Sequence, residues 1–96
     1  MEDATNCAAS SFRIMLPRIS KVEPRDGYKL FVSFDEGRDV IYDVGDDIRQ
    51  INDFQALQSV PNLFNNVKLD QSRTIIYWND YIDLPSDTIY EYGTCV

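Results

Sequence analysis

Sixteen acidic side chains and no histidine set the chemistry open to this 96-residue chain. Imidazole is the commonest general base and metal ligand. Its absence removes serine triads, Cys–His dyads and the common zinc sites in their usual forms. The four glycines stand singly at turns, so there is no glycine-rich phosphate loop. Cys7 and Cys95 have no neighbour in the sequence that would activate a thiol. Carboxylates remain. Asp43, Asp46 and Asp47 cluster where a strand pattern gives way to a helix pattern, and Asp80, Asp83 and Asp87 cluster near the C-terminus. Oxygen ligands of this kind suit Mg²⁺ or Ca²⁺, and paired acids suit glycoside hydrolysis. The first cluster lacks the central glycine and final glutamate of an EF-hand loop, and a chain of this length leaves little room for a sugar cleft. The plainer assignment is that these acids cap helices and close turns. No catalytic residue, metal or cofactor is therefore expected, and a small metal-dependent hydrolase using the clustered aspartates is the alternative.

Aromatic side chains offer a different chemistry. Trp78 is the single tryptophan and follows Ile75-Ile76-Tyr77. Core packing is its first assignment. The functional one is an aromatic anchor at an interface, where Trp and Tyr are enriched. Tyr77, Tyr81 and Tyr92 with Trp78 would make an amphipathic contact surface, fringed by Asp80 and Asp83. Asp43 and Asp83 each lie among strand apolars. The structural assignment has Asp43 closing the turn into the helix and Asp83 binding backbone amides at the start of the last helical turn. The candidate interaction residues are Asp43, Tyr77, Trp78, Tyr81, Asp83 and Tyr90.

Charge narrows the partner. The net charge is −7, but it is unevenly spread. Residues 12–29 carry +3, residues 35–53 carry −5, and residues 80–96 carry −4 with no base among them. An acidic surface repels phosphate backbones and anionic membranes, so neither nucleic acid nor membrane is expected as a direct ligand. A basic protein partner fits, against the simpler view that the acids are a solvated face. No signal-peptide pattern or transmembrane run is present, so the expected compartment is the cytoplasm. Two free thiols are expected there, with a Cys7–Cys95 disulfide as the alternative.

The elements that position these residues can be read from hydrophobic period. A length of 96 residues with 44% apolar and 12% aromatic content is enough for one modest core without metal or disulfides. Residues 1–16 read as a tail or extension and 17–96 as one domain. Residues 19–23 form a short strand ending at Pro24, and Asp26-Gly27 supplies a tight turn. Tyr28, Leu30, Val32 and Phe34 alternate with Lys29, Phe31 and Ser33. After Gly37, Val40, Tyr42 and Val44 alternate with Asp39, Ile41 and Asp43. Phe31 and Ile41 fall on the nominally exposed face, which something must cover. Asp46 or Asp47 caps a helix whose apolar spacing runs through Ile48, Ile51, Phe54, Leu57 and Val60 to Pro61, as one helix or two. Strand pattern returns at Val67 and Leu69 and again over 74–78. A further short strand follows at 81–84, then a last helical turn from Pro85, with Ile89 and Tyr90 packed inward, to Gly93. The order β-β-β-α-β-β-(β)-α predicts an α+β fold with a small, mainly antiparallel sheet.

From Pro17 to Gly93 the chain resembles a family of small bacterial domains known only as domain-of-unknown-function family 2442. Pro17-Arg18-Ile19, Val22, Gly27-Tyr28-Lys29-Leu30, Val32 and Phe34 carry the resemblance. It continues through Gly37, Tyr42-Asp43, Phe54, Leu57, Phe64, Val67, Trp78, Ile82-Asp83-Leu84, Asp87, Tyr90 and Gly93. The resemblance implies a compact α+β domain with no established catalysis. It also implies an association, in some members, with antitoxin-like proteins. Members with an appended helix-turn-helix have no counterpart segment here, so no DNA-binding role is carried over. Together these features predict a non-enzymatic protein-binding module, of which an antitoxin-type inhibitor is one form. A self-associating domain that covers Phe31 and Ile41 as a homodimer is the third reading.

Overall fold

The computed structural model describes residues 16–96. The expected tail over 1–16 lies, apart from Leu16, outside the described residues. Strands β1 (Ile19–Arg25), β2 (Lys29–Phe34), β3 (Asp39–Asp43) and β7 (Thr94–Cys95) form one antiparallel sheet in the order β1-β2-β3-β7. Strands β4 (Lys68–Leu69), β5 (Ile75–Asn79) and β6 (Ile82–Pro85) form a second, in the order β4-β5-β6. Short helices α1 (Gly45–Gln50), α2 (Ala56–Ser59) and α3 (Ser86–Tyr92) connect them. The protein is α+β with broadly the predicted order of elements. The predicted single sheet is two sheets, and β7 was not foreseen.

Period two explains the larger sheet. Leu30, Val32 and Phe34 of β2 are buried, as are Val40 and Tyr42 of β3, while the residues between them face outward. In β1 the register slips between Ile19, opposite Phe34, and Lys21, opposite Ser33. That irregularity at Ser20 lets Ile19 and Val22, an odd number of residues apart, both turn inward. Pro24 does not end the strand as expected. It continues β1 opposite Leu30, because an edge strand tolerates a residue without an N–H. The following turn puts both Gly27 (φ 79°) and Tyr28 (φ 60°) in the left-handed region, which is unusual for a bulky side chain. Tyr28 is held there by the Val44 N–H, which donates to its carbonyl at 2.9 Å, and by an edge contact with Phe64 at 5.3 Å between ring centroids.

The middle segment is broken helix. Neither Asp46 nor Asp47 is the cap: Val44 occupies that position without a side-chain bond, and both acids sit in the first turn of α1. There they still face the positive end of the helix. Ile51 is extended and interrupts the path, which resumes as a 3₁₀ turn over Asn52–Gln55 and then α2. Ile48, Phe54 and Leu57 are buried, whereas the interrupting Ile51 and the terminal Val60 are more than two-fifths exposed. The inner faces of both sheets and these helical pieces make one hydrophobic cluster.

The two sheets are joined through β5 and its approach. The Ile19 N–H donates to the Arg73 carbonyl at 2.8 Å, while the Ser86 N–H, donating to the Thr74 carbonyl at 2.8 Å, extends the smaller sheet's own β5–β6 pairing. Arg73 also reaches Asp35 at 2.7 Å. Among the described residues no helix is long and apolar enough to cross a membrane.

Candidate functional site

Successive strand residues point to opposite faces, and this divides the predicted aromatic surface. Trp78 turns inward. It is 3% exposed, its Nε1–H donates to the Phe64 carbonyl at 3.0 Å, and its ring stacks on Phe64 and meets Phe54 edge-on. It packs the core and does not present a surface. Tyr90 is likewise buried, with its ring edge-on to Phe34, its hydroxyl bonded to Glu36 and the Arg38 guanidinium over its face at 3.9 Å.

Tyr77 turns outward. On the outer face of the smaller sheet Lys68, Tyr77 and Asp83 lie side by side across β4, β5 and β6, with Ile75 opposite Pro85 in a neighbouring row. None of Ile75, Tyr77 and Tyr81 belongs to the core or packs against it. Tyr81 is 78% exposed at the β5–β6 turn. The turn is shaped by Asn79, whose side-chain oxygen accepts from the Tyr81 and Ile82 N–H groups at 2.8 and 3.0 Å. Asp83 is exposed in mid-strand and is not at the helix start, so the expectation that it binds amides there is corrected: β6 runs two residues beyond it. Tyr77 and Asp83 thus share the outer face of the smaller sheet, and Tyr81 is exposed at the turn that ends it. Ile75 and Pro85 complete it and were missed by sequence reasoning, although Ile75 keeps the same alternation as Tyr77.

Asp43 lies elsewhere. It closes the step from β3 into α1 by accepting the Gly45 N–H at 2.8 Å. Its neighbours have separate partners: Asp46 pairs with Arg49, and Asp47 accepts the Tyr42 hydroxyl at 2.7 Å. Burial, followed by that bond and the nearby acids, pushes the Tyr42 phenol well above its ordinary range. Among the described residues no three acidic side chains converge as a metal site requires. An open groove of about 840 Å³ runs past Asp43, Tyr28, Arg49 and Gln58. It gathers no buried polar group that would orient a small ligand.

At the far edge of the larger sheet, Cys95 opposes Val40 in β7. Cys95 is disulfide-bonded, which corrects the expectation of a free thiol at that position: β7 holds the residue in the sheet, not in a frayed terminus. Cys7 lies outside the described residues.

The family model described as Protein of unknown function (DUF2442) matches residues 19–94. The chain belongs to this family. For DUF2442 the matched span takes in both sheets, apart from Cys95 at the end of β7, and all three helices. Neither the curated proteins nor the solved structures contain a match.

Proposed function

We propose that this protein is a non-enzymatic protein-binding module that uses the outer face of its smaller sheet to hold a basic partner. The exposure of Tyr81 beside Tyr77, Ile75 and Asp83 carries the reading. Tyrosine supplies large contact area with few rotatable bonds and a polar tip. The acids over residues 80–96, unrelieved by any base, steer a cationic surface toward it. An antitoxin-type inhibitor is the finer form of this proposal: such a module would act by mass action, covering its partner's functional surface.

Affinity capture from the native cell with three baits tests it. The wild-type chain is expected to retain a basic protein in stoichiometric amount, and Tyr77→Ala/Tyr81→Ala is expected to lose it. Asp83→Asn is expected to slow association and flatten its dependence on ionic strength. Equal capture by wild type and the tyrosine variant would remove the assignment of this face.

A further inference from the structure

The outer face of the larger sheet has a self-complementary pattern. Its central row runs Glu23, Phe31, Ile41, Thr94 across β1, β2, β3 and β7. Phe31 and Ile41 are half-buried, yet neither belongs to the core or packs against it. The row toward one end runs Arg25, Lys29, Asp43, and the row toward the other runs Lys21, Ser33, Asp39. Apart from Glu23 in the central row, the charged residues of β1 and β2 on this face are bases and those of β3 are acids, with the apolar pair between. The Lys21 ammonium and the Arg25 guanidinium bracket the Phe31 ring at 5.8 and 4.8 Å from its centroid. Their tethers to Glu23, at 3.4 and 3.0 Å, hold them on this face.

A twofold axis along the strands, between β2 and β3, would turn this face onto a copy of itself. Strand β2 would then lie over the partner's β3, within the face-to-face packing that aligned sheets adopt. Phe31 would meet the partner's Ile41, and Lys29 the partner's Asp43, because each pair shares a row. Any other partner would need the same alternation of base, apolar pair and acid in reverse order. A second copy has it by construction. We infer that the chain forms a homodimer through the outer face of the larger sheet, with Phe31 and Ile41 at its centre and Lys29 against the partner's Asp43. A four-strand face is small beside the roughly 800 Å² per partner of standard interfaces, so association in the micromolar range is expected. The inference is independent of the proposed function, which concerns the other sheet.

Sedimentation equilibrium of the full chain, from about 1 to about 500 µM, tests the inference. The wild-type mass is expected to rise with concentration from monomer to twice that value. Phe31→Glu should weaken association by at least about tenfold, since it buries a charge at the centre. Phe31 is neither in the core cluster nor among the side chains packed on it, so this variant is expected to keep its fold by circular dichroism. Lys29→Glu and Asp43→Lys should each self-associate poorly. An equimolar mixture should regain the wild-type constant, because every cross-dimer contact again pairs opposite charges. A defect within one chain cannot be cured by mixing. A monomer throughout the range, a dimer indifferent to Phe31→Glu, or a mixture no stronger than its components would each overturn the inference. So would a dimer that Tyr81→Ala, and not Phe31→Glu, disrupts.

Discussion

The hydroxyl of Ser86 is fully buried and has no hydrogen-bond partner among the described residues. Its backbone N–H is satisfied by the Thr74 carbonyl, so only the side-chain oxygen is left over. A buried polar atom without a partner costs about 1–3 kcal/mol. Ser86→Ala removes it with almost no change in volume and improves helix propensity at the start of α3. The variant is expected to be more stable than the wild type by about 1 kcal/mol in urea titration. A loss of stability would mean that the hydroxyl does work the structure does not reveal. Tyr28 is the converse case. Its left-handed backbone costs on the order of 1–2 kcal/mol, and the Phe64 contact together with the bond from Val44 offsets the strain.

Between elements, the Tyr42–Asp47 bond ties β3 to the first turn of α1. The folded phenol titrates above the unfolded value of about 10, chiefly because it is buried. Its contribution is complete below about pH 10 and is lost as pH rises beyond, where the unfolded chain gives up its proton first. Thermal melts from pH 8 to 11 should therefore fall steeply at the alkaline end. Tyr42→Phe should flatten that fall while lowering stability near neutrality by about 1 kcal/mol. Equal alkaline slopes would show that Tyr42 is not the group responsible. Strands β2 and β3 were legible in the sequence because six and five alternating residues leave a clear period two. Strand β7 was not, since two residues show no period. The break in the helical segment was open in the sequence, as one helix or two, but its position at Ile51 was not legible, because that apolar side chain fits the helical spacing while its backbone is extended. The same alternation that revealed β5 required Tyr77 and Trp78 to face opposite ways. Placing both on one surface neglected that constraint, and it is why the candidate site was read only in part. The irregularity at Ser20 left no composition signal, because only the partner strand defines it.

Across the described residues, two sheets share one core between their inner faces. Stability should be graded accordingly. The amides of Leu30, Val32 and Val40, fully buried in the middle of the larger sheet, are expected to exchange slowest with deuterium. Those of the two-residue strands β4 and β7 should exchange faster. Uniform protection would contradict a single core graded outward from β2 and β3. One further consequence follows from Trp78 being the only indole, sealed against Phe64 and Phe54. Its emission is an optical gauge of the interior, expected at short wavelength in the folded chain and shifting red once water reaches the ring. It has no line of sight to either outer face. A ligand or a second chain settling there would leave the spectrum dark to the event, and a dye placed on the surface would be needed to see it.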